Sequence, residues 1–301
     1  MVSRASLIIA SEVFHNLSLK NTFLIILLYM NTQYILSMTT TPMRIEHLMD
    51  NISYLSKFAC QKIIINVCRR YNKMRISDYI VPKKYYKKIK YLKKIVINYT
   101  EDCGPLTKYC GGAKYMRDNK LTDHHLIIID DDVFYTENLF QNLLKDKTKK
   151  NITTGSGFNM TQDYKYDIVK EGDTEYVEGY GGICFHYNQI SDIMMDYSEY
   201  YKHICWDEYD DIVNDFLKAS FLGDDYIISK TYKKRTAICS GRDMITPLQY
   251  GFGPDALHNN PVFGSNMGSY QHLMNNNIIM KTFYKKISLK HQIKKSVKLK
   301  C

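Results

Sequence analysis

The stretch HHLIIIDDDVFYTENLF, residues 124–140, decides how the chain is read. Leu126 to Ile129 are four apolar residues in a row, and Asp130, Asp131 and Asp132 follow without a break. A short continuous apolar run reads as a strand buried on both faces. Three adjacent carboxylates repel one another, and burying them is costly unless solvent or a cation offsets the charge. In an extended segment Asp130 and Asp132 point the same way and Asp131 points opposite. Two hard oxygen donors on one side suit Mg²⁺ or Mn²⁺, which keep open positions for phosphate oxygens. An acidic turn after a strand is the plain structural alternative. On the metal reading, Asp131 is expected to face away, held by backbone or solvent.

Working outward, a strand–helix rhythm surrounds this stretch. Residues 34–42 read as a strand ending in a polar turn, and Ile45, Leu48, Met49, Ile52, Leu55 and Phe58 follow at helical spacing. Residues 62–68 and 94–99 are further strands. Residues 104–116 read as a loop running into a short helix, with Pro105 near its first turn. Downstream, Thr136 can cap a helix that carries Leu139, Phe140, Leu143 and Leu144 on one face. Residues 151–160 are strand-like. Residues 166–185 suggest a hairpin turning at Glu171-Gly172-Asp173, then a glycine-rich return from Gly179 to Gly182. Two helices broken near Gly223 and a short strand over 236–241 complete the pattern. Alternating strands and helices predict an α/β fold, a mostly parallel sheet flanked by helices. Ligands bind beyond the carboxyl ends of such strands, which is where the aspartates stand. The chain divides into an extension over 1–33, one domain over 34–277 and a basic tail over 278–301.

At 45% hydrophobic and 24% charged residues the chain is globular, not disordered. The formal charge of +10 is concentrated in residues 83–94 and in the tail. That balance suits polyanionic partners such as nucleotides, nucleic acid or an anionic membrane, with solvated lysine faces as the plain alternative. The eight cysteines form no CxxC pair, which argues against a disulfide scaffold or a structural zinc site and for a reduced, cytosol-like compartment. The apolar run from Phe23 to Tyr29 is shorter than the roughly 20 residues a bilayer requires, so it reads as an extra helix or strand ahead of the main domain, with a weak signal-anchor as the alternative. A cytoplasmic protein is therefore expected, in the host cytoplasm if the chain is viral, with the basic tail suited to peripheral membrane contact. No P-loop pattern is present.

Several segments resemble, in order, those of nucleotide-sugar-dependent glycosyltransferases of the GT-A fold with a DxD motif, a poorly characterised group found in bacteria and large DNA viruses. They are LSMTTTPMRIEHL (36–48), EDCGPLTKY (101–109), LIIIDDD (126–132), VEGYGGICF (177–185), FLGDDYIIS (221–229) and DALH (255–258). The resemblance implies a GT-A-like, Rossmann-related sheet over residues 34–277. It also implies transfer of a sugar from a UDP- or GDP-sugar donor to a glycan, protein or lipid hydroxyl, with Mn²⁺ or Mg²⁺ as cofactor and no specific nucleic acid. Thr40, Thr41 and Arg44 would lie near the nucleotide, and Asp102 and Lys108 would flank the donor pocket. Asp130 would contact ribose or metal, Asp131 belongs to the same donor-binding triplet, and Asp132 would bind the metal. Gly181 and Gly182 would admit the sugar or acceptor close to the backbone. Asp224 or Asp225 would be the acceptor-side carboxylate, with Asp225 preferred as the base of an inverting displacement. His258 would add a metal or diphosphate contact, and Trp206 is a candidate sugar-stacking ring. A retaining mechanism, and a helix N-terminal role for Asp224 and Asp225, stay open. Two other classes compete: a metal-dependent phosphotransferase, nucleotidyltransferase or nuclease, and a basic nucleic-acid- or membrane-binding protein without catalysis. The last leaves the aspartates unexplained.

Overall fold

Four apolar segments become parallel neighbours: β1 (Tyr34–Thr39), β2 (Lys62–Cys68), β3 (Ile95–Thr100) and β4 (His125–Ile128), in the order β3-β2-β1-β4. The structure, a computed structural model, describes residues 33–248 apart from 72, 146–150, 162–165, 196, 205–211 and 239. Trp206, His258, the apolar run at 23–29 and the basic tail lie outside the described residues. Three helices cross between the strands: α1 (Ile45–Leu55), α2 (Lys83–Lys90) and α3 (Thr107–Asp118). Side chains alternate across the sheet. Leu36, Met38, Ile63 and Ile65 pack with α1 and α2, while Ile35 and Ile64 pack with α3. Both faces are therefore covered, which is why these strands read as continuous apolar runs.

The third helix is longer and more deeply buried than its sequence predicts. Two glycines in its middle count against a helix by about 1 kcal/mol each. Here they let the backbone lie directly on the sheet. A Cβ at Gly111 would come within 2.0 Å of Asn66 Oδ1, and one at Gly112 within 2.5 Å of Ser37 Oγ. Ser37 Oγ donates to the Lys108 carbonyl at 2.6 Å, and Asn66 Nδ2 donates to Ser37 Oγ at 2.8 Å. This polar seam sets the height of α3 above the sheet and so the reach of Lys108. Gly111→Ala is expected to cost about 1–3 kcal/mol through overpacking, read from the urea midpoint.

The second half follows as β5 (Val133–Tyr135), α4 (Glu137–Leu143), β6 (Ile152–Thr154), β7 (Gly157–Met160), β8 (Tyr166–Val169), β9 (Gly172–Asp173), β10 (Tyr176–Val177) and β11 (Ile183–His186). Short α5 (Asp192–Met195) and α6 (Tyr197–Tyr201) lead to α7 (Ile212–Leu222) and α8 (Asp224–Thr231), which break at Gly223 as expected. Then come β12 (Arg235–Ala237) and β13 (Ile245–Pro247). The main sheet runs β3-β2-β1-β4-β11-β6-β12-β9. β11 is antiparallel to both β4 and β6, and β12 is parallel to β6. The architecture is thus a mixed α/β fold with a mostly parallel central sheet flanked by helices.

Two local expectations are corrected. No hairpin turns at Glu171-Gly172-Asp173. β8 pairs with β7, β9 crosses to the edge of the main sheet beside β12, and β10 pairs with the other edge of β7. Gly172, at φ +103°, gives the chain the left-handed conformation it needs to leave one sheet for the other. Thr136 occupies the N-cap of α4 with extended backbone, but its hydroxyl makes no capping bond. Glu137 instead brings negative charge to that first turn and accepts the Ala59 N–H at 2.9 Å.

Candidate active site

β4 ends at Ile128, before the aspartates begin. Ile129 N–H still donates to the Ser37 carbonyl at 2.9 Å, after which residues 131–132 turn into β5. Strict alternation therefore does not govern the triplet. Asp130 sends its carboxylate to Lys108, with Nζ–Oδ1 at 2.6 Å. Asp131 and Asp132 both meet Arg44 Nη1, at 3.1 and 3.0 Å. The expectation that Asp131 faces opposite to Asp130 and Asp132 is corrected: Asp131 Oδ1 and Asp132 Oδ2 meet the same Arg44 nitrogen, and Asp130 is the one that stands apart. Asp131 is only 4% exposed and rests on a guanidinium, which also corrects the expectation of backbone or solvent alone. Asn51 of α1 pins the turn by donating from Nδ2 to the Asp131 and Val133 carbonyls, both at 3.1 Å. Tyr135 accepts the Asp130 N–H at its hydroxyl, 2.9 Å away.

The start of α8 completes the cluster. Lys108 Nζ lies 2.9 Å from Asp224 Oδ2, so one ammonium ties the triplet to the helix broken off at Gly223. Asp225 Oδ1 accepts the Gly179 N–H at 2.7 Å. A Cβ at Gly179 would come within 2.6 Å of Lys108 Nζ and 3.0 Å of Asp225 Oδ1. Gly179 is thus the member of the glycine run that approaches the site. Gly181 and Gly182 are not on the cleft wall. Gly181 packs against Ser156, and Gly182 adopts φ +75° beside Ile129 and Leu143.

These groups open onto a cleft of about 440 Å³ at the carboxyl ends of the parallel strands. Thr40, Thr41, Arg44, Asp102, Lys108, Asp130, Asp131, Asp132, Asp224 and Asp225 all line it, so ten residues picked out by sequence converge. Asp102 also shapes its loop, accepting the Gly104 N–H at 3.0 Å, with Gly104 at φ +59° against the Phe221 carbonyl. Tyr71, Lys73 and Tyr180 line the cleft too, and the sequence alone did not single them out. The Tyr180 ring is held from outside the cleft. Its hydroxyl is 3.1 Å from Ser156 Oγ, and the Arg242 guanidinium lies 5.6 Å from its centroid. Glu178 accepts from both Ser156 and Arg242. An aromatic in a single 3₁₀ turn, Gly179–Gly181, carries no periodic signal, so only the fold brings it here.

The charge on the cleft wall is unbalanced. Six carboxylates (Asp102, Asp130, Asp131, Asp132, Asp224 and Asp225) face three cations (Arg44, Lys73 and Lys108). The imbalance shows in proton affinity. Burial, then repulsion from Asp130 and Asp131, pushes the Asp132 carboxyl up to about 6. Burial and the neighbouring Asp224 hold Asp225 well above the ordinary carboxylate range, and burial raises Asp131. Burial works against a charged Lys108, yet Asp130, Asp224 and Asp225 outweigh it and hold the ammonium protonated. Among the described residues, no group of three or more His, Cys, Asp or Glu side chains is arranged to hold a metal ion. The carboxylate oxygens here are the donor type a hard divalent ion would require, while Lys108 holds Asp130 and Arg44 holds Asp131 and Asp132.

No protein-family model matches the sequence, and no curated protein does. Two solved structures of the glycosyltransferase GlyE from Streptococcus pneumoniae TIGR4, one of them an apo form, align at TM-score 0.36 with 12% and 11% identity. Each alignment covers 68% of this chain and 45% of the GlyE chain, so this protein spans under half the length of the structures it is similar to. A likeness at that level carries neither fold nor function here; both rest on the chain's own residues.

Proposed function

We propose that this chain is a metal-dependent glycosyltransferase that moves a sugar from a nucleoside-diphosphate sugar, UDP- or GDP-linked, to a hydroxyl on a glycan, protein or lipid. One observation carries the reading: a net-negative cleft at the carboxyl ends of parallel strands, in a chain whose overall charge is +10. Such a wall repels a diphosphate unless a divalent cation lies between them. Asp130 and Asp132 would hold that ion, Mn²⁺ or Mg²⁺, which when bound supplies Lewis-acid stabilisation to the departing diphosphate. Arg44 and Lys108 are fixed in place by ion pairs and offer preorganised positive charge to the same leaving group. Thr41 Oγ1 is buried at the cleft wall with no hydrogen-bond partner among the described residues, which leaves a hydroxyl for the nucleotide.

The two acidic residues of α8 divide their work. Asp224 is committed to Lys108. Asp225 lines the cleft, is oriented through Oδ1 by the Gly179 N–H, and has a raised proton affinity. Asp225 is therefore assigned as the base: it takes the acceptor hydroxyl proton while that oxygen bonds the anomeric carbon and the bond to the diphosphate breaks, an inverting displacement. A cytoplasmic setting, host cytoplasm if the chain is viral, belongs to this proposal and is supported by cysteine usage alone.

The test is nucleotide release from a panel of UDP- and GDP-sugars with Mn²⁺, comparing wild type with Asp132→Ala and Asp225→Asn. Turnover indifferent to chelator and to Asp132→Ala would sink the metal role. Gly179→Ala places a methyl against Lys108 and Asp225, and is expected to lower kcat about tenfold or more and, by displacing the buried ammonium from its partners, to lower the melting temperature as well. The gathering of Asp224 and Asp225 beside Asp130 also fits a two-metal phosphotransferase, nucleotidyltransferase or nuclease. Nucleic-acid cleavage by the purified protein, lost in Asp130→Ala, would transfer the assignment to that class.

A further inference from the structure

We propose that the outer face of α2, with the residues flanking it, is a docking surface for an anionic lipid bilayer. From Tyr79 to Thr100 the chain has seven lysines and no carboxylate. α2 buries Tyr85 and Ile89, four residues apart, and Val81 precedes them. Everything else on the helix faces solvent: Lys83, Lys84, Tyr86, Lys87, Lys88 and Lys90 are exposed. No ion pair among the described residues engages these lysines, and Lys84 alone has an internal contact, its ammonium 4.5 Å from the Tyr85 ring centroid.

The apolar part of the surface is equally local. Of the five large hydrophobic side chains exposed among the described residues, three lie here: Ile80 at 70%, Tyr86 at 52% and Tyr91 at 85%. Basic residues interleaved with exposed tyrosine and isoleucine match a membrane interface, where the ring or alkyl group enters the headgroup layer and the ammonium meets lipid phosphate or carboxylate. Each lysine near an anionic leaflet contributes about 1 kcal/mol. Charge complementarity therefore names the occupant.

A nucleic acid fits less well. The face is a single helix on the outside of the sheet, not a groove, and no arginine occurs between residues 76 and 116 to fork onto a phosphate. Ile80 has no base to stack on. The surface also joins the cleft. Tyr71, Lys73 and Met74 of the loop that leads to Ile80 line the cleft, and Tyr79 N–H donates to the Arg69 carbonyl at 2.8 Å. Docking would put the cleft rim within one loop of the headgroups. The docking does not depend on the transfer reaction.

Co-sedimentation of the full chain with phosphatidylcholine vesicles, with and without about 30% phosphatidylserine, tests this. Wild type is expected to partition onto the anionic vesicles only. The four-lysine variant Lys83→Gln/Lys84→Gln/Lys87→Gln/Lys88→Gln should lose about 100-fold or more in partitioning. Tyr86→Ser/Tyr91→Ser should lose about tenfold at unchanged charge. All six positions are exposed, and unchanged thermal melts would confirm intact folding. The basic tail is present in every variant. Wild-type-like binding by the lysine variant would overturn the proposal by assigning contact to another basic segment. Equal binding to neutral vesicles, or tighter binding to an oligonucleotide than to anionic vesicles at matched salt, would overturn it as well.

Discussion

Replacing Lys108 with methionine is expected to destabilise the protein by about 3–5 kcal/mol near neutral pH, the size seen when one partner of a buried ion pair is removed. The Lys108 side chain is 4% exposed and touches two carboxylates, Asp130 at 2.6 Å and Asp224 at 2.9 Å. Methionine keeps most of the volume but leaves these acids facing each other beside Asp225. Uncompensated carboxylates bind protons more tightly in the folded than in the unfolded chain, so the loss should be smaller at pH 5 than at pH 7.5. Millimolar Mn²⁺ should recover part of it, because a ligand that binds only the folded state adds stability by mass action. Arginine is not an adequate substitute. Gly179 leaves no space beyond the ammonium, as its missing Cβ would lie 2.6 Å from Nζ. Urea unfolding at the two pH values reads all three effects. A loss below about 1 kcal/mol would mean that water already solvates these carboxylates.

The second large effect has the opposite sign for stability. Asp132→Asn is expected to stabilise the metal-free protein by about 1–3 kcal/mol at pH 7.5 while lowering turnover by about 100-fold or more. Burial, with Asp130 and Asp131 close by, raises the Asp132 carboxyl from its ordinary 3.8 to about 6. The folded chain thus holds this proton between those values after the unfolded chain has released it. Stability from this group falls as pH rises through that window, and the penalty stands in full above it. Asparagine preserves the volume and cannot ionise. Arg44 loses one partner but keeps Asp131 at 3.1 Å. The gain should therefore vanish near pH 3.5, and Mn²⁺ should raise the melting temperature of wild type but not of the Asp132→Asn variant. A destabilised Asp132→Asn protein at pH 7.5 would show that the Arg44 pair outweighs the repulsion.

Together these substitutions test whether the charge of this cleft is arranged for a ligand at a cost in stability. Arg44 and Lys108 occupy the carboxylates without balancing them. The triplet was legible from the strand that delivers it, and the other residues of this site were reached through the ordered resemblance of short segments, which stand at strand ends and helix starts. Thr40, Thr41 and Arg44 follow β1, Lys108 opens α3, the triplet follows β4, and Asp224 and Asp225 open α8 after Gly223. Local pattern failed where distant packing decided the outcome. The segment 104–116 reads as a loop and a short helix, and the glycine pair, unfavourable to a helix by local propensity, instead lies against Asn66 and Ser37 inside a helix of twelve residues. Gly181 and Gly182 resemble ligand-facing glycines, but Gly179 is the one that faces Lys108 and Asp225.

By itself, the sequence determined the four apolar strand segments, the helices after the first and before the last, and the three carboxylates that follow one strand, because burial and side-chain period are properties of a few adjacent residues; the helix over Lys83–Lys90 was not legible in it. Only the tertiary structure decided which cation meets which aspartate. β4 ends before Asp130, so the turn, not the pleat, aims the triplet, and Asp131 goes to Arg44 with Asp132 while Asp130 goes to Lys108. Those partners lie 22 to 88 residues away along the chain. Pairing of charges depends on distances across packed elements, and no local period encodes it.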